Sequence, residues 1–319
     1  MFFLEWFFGK LESFNTKQGG GPEIVLPHYP NESDSILGFK PTANGNYFLK
    51  KLVNKKVLFN VNFKTDTNSL RITPIDTSIY RTKFALFFGC SYTFGDGLES
   101  NQTIPFLFQA IKKEFRPYNF GYSAYSPSQM LAKLQENKIN KIIKEKEGLA
   151  FFIFIPDHIR RVVDGTSSYT FVGGQTPLFL EENGKLVRKG LIKDAGIVKT
   201  LFYKSILGSN ILKYFQIAYP IRRTEKHFKL TAQILTESSD LYKKQFNNNN
   251  FFVILYPTPV ENEHNSIIKY LRKNRIKYLD YSKLFNPLDK RYNIPFDGHP
   301  TFLANQIITS QIIKDLKLK

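Results

Sequence analysis

An apolar run that stops at a glycine, with a serine two residues later, constrains the fold of this chain more than any other feature. The run covers residues 84–88 and is followed by Gly89 and Ser91. A short, wholly apolar run of this kind is typical of a strand that is covered on both faces of a parallel sheet. Gly89, Gly95 and Gly97 permit a sharp turn after it. The pattern therefore predicts a serine at the carboxyl end of a central strand, where open α/β sheets bind ligands.

Short apolar runs alternate with helical patterns through the rest of the chain. The predicted strands cover residues 84–88, 118–120, 149–155, 251–256 and 276–279. The predicted helices cover residues 105–115, 128–143, 265–275 and 301–318, with Ser126 or Ser128 starting the second. Strands that alternate with helices predict an α/β fold, in which helices cover both faces of a parallel sheet.

The N-terminal quarter has a different pattern. Residues 1–20 predict a short helix, and residues 22–80 form short β-prone runs, of which 52–63 and 69–74 are the clearest. We therefore divide the chain into an N-terminal helix with a β-rich appendage over residues 1–80 and a main domain over residues 81–319. The appendage is either structural cover or a recognition element for a polymer or a partner.

The main domain contains a segment that a minimal sheet does not need. Residues 160–247 are expected to form an insertion near the strand ends, where loops carry specificity. Extended segments are predicted at 169–171 and 176–188, the second with a hairpin turn at 181–184. Residues 195–247 are predicted to be mostly helical.

A serine hydroxyl needs a base before it becomes a nucleophile, and the usual base is a histidine oriented by a carboxylate. The chain has five histidines. Only His299, just before the last predicted helix, combines a nearby carboxylate, Asp297, with a rigid setting of proline and glycine. Four histidines lack such a setting: His28, His158, His227 and His264. The alternative is that Asp297 and Pro300 only start the final helix, since both residue types are common there.

Three sequence blocks, in this order, resemble those of the SGNH (GDSL-type) hydrolases. They are Gly89-Cys90-Ser91-Tyr92-Thr93-Phe94-Gly95, Asn119-Phe120-Gly121-Tyr122-Ser123 and Asp297-Gly298-His299-Pro300. The resemblance covers residues 81–319. It implies a flavodoxin-like three-layer α/β/α domain with Ser91 as nucleophile and Asp297 and His299 as the other triad members. It also implies that the backbone N–H groups of Ser91 and Gly121 bind the oxyanion.

Two departures from the family pattern matter. Only Gly298 separates the acid from the histidine, where the family usually has two residues; glycine accepts the unusual dihedrals that this requires. The third block, at residues 155–158, lacks the asparagine that the family uses as an oxyanion donor. An ionised Asp157 would repel an oxyanion, so His158 is the candidate donor, with Arg160 as electrostatic help. Loss of one such donor typically costs about 100- to 1000-fold in rate.

Other roles remain open for residues around the serine. Ser91 alone could simply cap the following helix. Cys90 is expected to be a small buried hydrophobe, because the side chain before a nucleophile points away from substrate. Tyr92, together with Asp157 and Arg160, is a candidate for substrate contacts.

The chain carries a formal net charge of +18. Its basic residues occur mostly in scattered pairs between apolar residues, without a nucleic-acid motif, so we expect no nucleic-acid partner. A positive field would still favour contact with an anionic surface, such as a polysaccharide or lipid head groups. A single cysteine excludes an internal disulfide and a cysteine metal cluster. The oligomeric state is left open.

No run approaches the length of a membrane-spanning helix, so none is expected. The segment Met1–Gly9 is apolar but contains Glu5 and lacks the basic leading region of a secretory signal. It is expected to dock on the protein, with a membrane-surface anchor as the alternative. These features favour a cytoplasmic location.

The sequence thus predicts a serine esterase that removes an acyl group from a carbohydrate or lipid ester, with no metal or organic cofactor. Two alternatives stay open. One is an O-acyltransferase that uses the same triad on a glycan acceptor. The other is a catalytically degenerate protein that binds a glycan.

Overall fold

A computed structural model describes residues 23–25, 31–53, 56–163, 165–214, 219–220, 222–259 and 261–318. The predicted helix over residues 1–20 and His28 lie outside these residues. Among the residues described, no helix combines the length and the apolar character needed to cross a bilayer.

A five-stranded parallel sheet forms the centre of the main domain. Its strands are β6 (Lys83–Gly89), β7 (Phe115–Asn119), β8 (Glu147–Phe154), β11 (Phe251–Leu255) and β12 (Tyr278–Asp280). They lie in the order β7-β6-β8-β11-β12. Numbered within the sheet, this is 2-1-3-4-5, the flavodoxin-like order, whose strand order reverses beside the first strand. The predicted α/β class and parallel sheet are confirmed.

Side-chain alternation along β6 explains why helices cover both faces. Phe84, Leu86 and Phe88 belong to the core beneath one helical layer, whereas Ala85 and Phe87 belong to the core on the other side. Every residue of 84–88 is at most 2% exposed. A strand that is apolar on both faces is stable only between two layers, which gives the three-layer arrangement.

Helices from distant parts of the chain build the two layers. The first layer contains α3 (Pro127–Gln135), α9 (Glu225–Phe246) and α10 (Glu261–Lys273); the second contains α2 (Ile104–Ile111) and α11 (Phe302–Asp315). The predicted helix over 128–143 is interrupted, because Asn137 has a φ of 52°. The chain resumes as α4 (Ile139–Ile142). Ser126 caps α3 by accepting from the Ser128 N–H.

The N-terminal appendage is β-rich, as expected, but its strands differ from the prediction. β4 (Asn46–Val53) and β5 (Lys56–Lys64) form an antiparallel hairpin, so residues 52–63 are not one strand. β1 (Glu23–Val25) pairs with β4, while β2 (Asn31–Asp34) pairs with β3 (Gly38–Pro41). Residues 69–74 form no strand; Arg71 makes only isolated bridges, to Thr65 and Asn119.

The segment between β8 and β11 contains more than a crossover helix. α5 (Asp157–Val162) and α6 (Thr166–Val172) follow β8, so the extended segment predicted at 169–171 is wrong. The hairpin is confirmed as β9 (Pro177–Glu182) and β10 (Lys185–Leu191). Its turn residues Asn183 and Gly184 both have positive φ, the conformation of a two-residue hairpin loop. Two further helices, α7 (Ile197–Gly208) and α8 (Asn210–Tyr214), precede α9.

Candidate active site

The turn after β6 positions Ser91 at the carboxyl edge of the sheet. Gly89 ends the strand with a φ of +145°, and a Cβ there would lie 2.2 Å from Thr93 Oγ1. Any larger residue would collide with the turn that follows. Ser91 begins the short helix α1 (Ser91–Phe94), which Gly95 ends with a φ of +91°. The serine is therefore held on a close turn, as the glycine pattern predicted.

Asp297 and His299 form a hydrogen-bonded pair beside that turn. His299 Nδ1 is hydrogen-bonded to Asp297 Oδ1. Gly298 between them has a φ of +84°, and this left-handed conformation lets a carboxylate only two residues away reach the imidazole. Tyr92 holds the loop, because its hydroxyl donates to the Gly298 carbonyl at 2.9 Å. The short spacing thus still permits the expected contact.

Ser91 and His299 line the same cavity of about 320 Å³. The candidate residues Tyr92, Asp157 and Arg160 line it as well. Within the described residues, the Ser91 hydroxyl and the His299 ring share this space without a direct hydrogen bond. Catalytic hydrogen bonds are often long in free enzymes and tighten when substrate binds. The structure therefore brings the hydroxyl, the imidazole and its carboxylate to one opening.

Two charged residues to which the sequence assigned no chemistry adjoin the pair. Lys51, from strand β4 of the appendage, forms an ion pair with Asp297. Asp96 Oδ2 lies 3.8 Å from His299 Nε2. The Ser123 hydroxyl donates to the Asp96 carboxylate and lies 2.7 Å from Oδ2 and 2.9 Å from Oδ1. The imidazole consequently lies between two carboxylates.

These neighbours set the ionisation of the pair. Burial raises the pKa of Asp297, but hydrogen bonds from His299 and Lys51 outweigh burial and lower that pKa to about 2. Burial lowers the pKa of His299, but the hydrogen bond to Asp297 and the charge of Asp96 outweigh it, so the pKa is raised. The carboxylate is ionised at neutral pH, and the imidazole holds its proton more tightly than a free histidine does.

The predicted oxyanion donors are only partly in place. The Gly121 N–H donates to Asn119 Oδ1 at 3.1 Å, so it is engaged inside the protein. Gly121 instead permits close contact, since a Cβ there would lie 2.6 Å from Thr93 Cβ. In the part of the chain that the structure describes, the Ser91 N–H donates to no backbone acceptor. It is therefore the predicted donor that is available beside the cavity.

His158 is not part of the cavity. It is fully buried, its Nδ1 accepts from the Ile155 N–H at 3.2 Å, and its ring packs against Phe152 and Phe154. Burial lowers its pKa well below the usual range, so the ring is neutral. The expectation that His158 donates to an oxyanion is therefore wrong, because the ring faces the core on the α3 and α9 side of the sheet.

Asp157 is neutralised rather than directed at the substrate. Its Oδ2 accepts from Arg161 Nη2 at 2.8 Å, and Arg161 also donates to the Tyr125 carbonyl. Arg223 and Glu263 form a second ion pair on the wall. With Arg160, the cavity lining contains three guanidinium groups. The negative charge of Asp157 is thus compensated by Arg161.

Cys90 has the predicted structural role. It is fully buried in the core that includes Ala85 and Phe87. Burial raises the pKa of its thiol, which keeps the thiol protonated and unreactive at neutral pH.

No protein-family model matches the chain, and no curated protein matches it by sequence. Among solved structures, it is similar to a member of the lipolytic protein G-D-S-L family from Veillonella parvula. That alignment has 11% identity, covers 74% of this chain and 100% of that chain, and gives a TM-score of 0.45. TesA is 11% identical over 73% of this chain and 98% of its own, with a TM-score of 0.44.

AlinE4, described as an SGNH-hydrolase family esterase, is 13% identical over 62% of this chain and 76% of its own, with a TM-score of 0.35. The family named for AlinE4 is the one that the three sequence blocks resemble. With TM-scores below 0.5, these neighbours assign neither activity nor substrate to this chain.

Proposed function

We propose that the protein is a serine ester hydrolase in which Ser91 is the nucleophile, His299 the general base and Asp297 the residue that orients His299. One observation carries this proposal: the serine turn and the Asp297–His299 pair, over two hundred residues apart in sequence, open into one cavity. A serine, an imidazole and a buried carboxylate in this arrangement support acyl transfer through a covalent intermediate.

The chemistry follows from the roles of these groups. His299 takes the Ser91 proton as the hydroxyl attacks the acyl carbonyl, and it then gives that proton to the leaving alkoxide. In the second half, the same imidazole takes a proton from water as the water attacks the acyl carbon. The bond from that carbon to Ser91 Oγ then breaks, the acid leaves, and the imidazolium returns the proton to Ser91. The Ser91 N–H donates to the oxyanion, and the guanidinium groups of the cavity lining add positive charge near it. The substrate is a carbohydrate or lipid ester, and the mixed polar and apolar lining of the cavity supports an alcohol part with hydroxyl groups.

A fluorophosphonate probe tests the nucleophile directly. We expect the wild-type protein to be labelled once, at Ser91, with phosphonylation lost in Ser91→Ala and slowed by several orders of magnitude in His299→Ala. Ser78→Ala, which removes an exposed serine hydroxyl away from the cavity, is the matched control and keeps full labelling. A folded wild-type protein that stays unlabelled, or labelling that persists in Ser91→Ala, would refute the proposal.

Product analysis separates hydrolysis from transfer. With an acetylated sugar as donor and a free sugar as acceptor, a hydrolase accumulates acetate at a rate that the acceptor does not change. Accumulation of acetylated acceptor in place of acetate would instead identify an acyltransferase.

A further inference from the structure

Helix α7 exposes an unusual amount of apolar surface. Val198 and Ile197 are 79% and 77% exposed, and Leu201 and Phe202 are 58% and 51% exposed. Monomeric proteins rarely leave a contiguous group of large apolar side chains in water, and such groups mark interaction surfaces. These four residues are the apolar face discussed below.

The four side chains lie on one side of the helix. At about 100° per residue, Ile197, Leu201, Val198 and Phe202 fall within an arc of about 140°. Two small residues, Ser205 and Gly208, fall within the same arc. The opposite side holds the helix on the protein: Tyr203 is buried and packs against the rings of Tyr169 and Tyr219. The helix therefore has one side that docks on its own chain and one apolar side that faces outwards. The half-exposed ring of Phe202, at the edge of the outer side, also contacts Tyr219 with ring centres 5.8 Å apart.

Lysines border the apolar face on both edges. Lys204 precedes Ile197 around the helix by about 20°, and Lys199 follows Phe202 by about 60°. The surrounding segment 193–223 contains one acidic residue, Asp194, and six basic ones: Lys193, Lys199, Lys204, Lys213, Arg222 and Arg223. An apolar stripe bordered by lysines is the arrangement of helices that lie in the interface of an anionic bilayer.

From this juxtaposition, we propose that the apolar face of α7 docks on a membrane surface that contains anionic lipids. The four apolar side chains enter the boundary between head groups and acyl chains, while the lysines contact the phosphates. The net charge of +18 supplies the long-range attraction to such a surface. The inference does not depend on the hydrolase chemistry.

A second copy of the chain fits this face poorly. The helix is 12 residues long, so its outer face measures about 18 Å by 10 Å. That is about a quarter of the 800 Å² that each partner contributes to a typical stable interface. Pairing of two copies would also bring the lysine borders together. A bilayer needs no such area, because it adapts to a narrow apolar stripe.

The apolar face is connected to the candidate active site through packed helices. Arg223, which follows α7 and α8 in the chain, lines the cavity that contains Ser91. α7 packs on α6, and α6 packs on α5, which carries Asp157 and Arg160. The face and the cavity wall thus belong to one connected group of helices.

Vesicle flotation with the full chain tests the proposal. We expect the wild-type protein to float with vesicles of phosphatidylcholine mixed with phosphatidylglycerol, and to remain in solution with phosphatidylcholine alone. The double variant L201Q/F202Q should lower the bound fraction about tenfold or more, because it removes two large apolar side chains from the interface. Lys204→Glu should also weaken binding to the anionic vesicles. Added salt should weaken vesicle binding by the wild-type protein, because it screens the attraction between lysines and phosphates.

Controls use an exposed leucine and lysine elsewhere in the chain. Leu288→Gln and Lys290→Glu make the same kinds of change at exposed positions outside α7 and should float like the wild type. Circular dichroism checks that each variant is folded. The proposal is overturned if the wild-type protein does not float with anionic vesicles, or if folded L201Q/F202Q floats to the same extent as the wild type. It is also overturned if sedimentation equilibrium without vesicles shows a dimer that L201Q/F202Q dissociates, since the face would then bind a second copy.

Discussion

Arg71 joins the N-terminal appendage to the turn that carries Ser91. Its guanidinium is buried and donates to the carbonyls of Phe94, Gly95 and Leu98 at 2.9, 2.8 and 2.6 Å. It also lies 4.8 Å from the ring centre of Phe63 in strand β5. These carbonyls flank Asp96, the second carboxylate beside His299. We therefore expect Arg71→Met to affect both stability and the reactivity of Ser91.

The expected loss in the free energy of unfolding follows from the number of hydrogen bonds that Arg71→Met removes. A hydrogen bond from a charged donor contributes about 1.5 to 3 kcal/mol, and methionine would leave three buried carbonyls without this donor. Part of the loss is offset, because methionine does not carry the dehydration cost of a buried cation. We expect the free energy of unfolding to fall by about 3 to 5 kcal/mol, measured by urea titration with circular dichroism.

Arg81→Met is the matched control. Arg81 is also buried and also donates three hydrogen bonds, to the carbonyls of Asp76 and Ile79 and to Gln109 Oε1. Both variants should lose similar stability, but only Arg71→Met should slow fluorophosphonate labelling of Ser91 under conditions where the protein is folded. If Arg71→Met unfolds like the wild type, or if both variants are labelled at the wild-type rate, Arg71 does not hold the serine turn in place.

Three further variants test the loop and the charges around His299. His299 must be neutral to act as a base, so the acidic limb of the rate profile follows its raised pKa, and turnover rises with pH through that value. Asp96→Asn removes a negative charge that favours the imidazolium and should move this limb to lower pH. Lys51→Met removes a positive charge that opposes the imidazolium and should move the limb to higher pH. Equal rate profiles for the two variants would contradict these opposite effects on the pKa of His299. Gly298→Ala forces a side chain into a φ of +84° at a cost of about 1 to 2 kcal/mol and should reduce turnover. Gly184→Ala, with a φ of +78° and equally open space at the hairpin tip, should cost similar stability in urea titration yet leave turnover unchanged.

Local patterns in the sequence were sufficient to predict the sheet and the serine turn. Residues 84–88 are apolar on both faces, and this pattern, bounded by a glycine, is typical of a parallel strand that is covered on both faces. The Asn183-Gly184 turn and the Ser126 cap are likewise decided by the conformations of two or three residues. The Asp297–His299 contact was predictable for the same reason, since one flexible glycine separates the two residues.

Features that depend on tertiary packing were not predictable in this way. Residues 169–171 have an extended pattern, but they lie in the helix α6, where Tyr169 packs against Tyr203 of α7. Tertiary contacts of this kind override local propensity. His158 follows a predicted strand like a site residue, yet the start of α5 turns its ring into the core. Gly121 matched a sequence block, but only coordinates show that Asn119 accepts its N–H.

The positions of Lys51 and Arg71 suggest a third role for the N-terminal appendage, besides covering the main domain or recognising a polymer or partner. Lys51 pairs with the carboxylate that orients His299, while Arg71 holds the carbonyls on both sides of Asp96. Each is a cation from the first 80 residues that contacts an element of the candidate active site. Without residues 1–80, Asp297 would lose its ion pair with Lys51, and the serine turn would lose its hydrogen bonds from Arg71. The appendage is therefore expected to be required for turnover even with the main domain folded, because its charges complete the electrostatic setting of the imidazole.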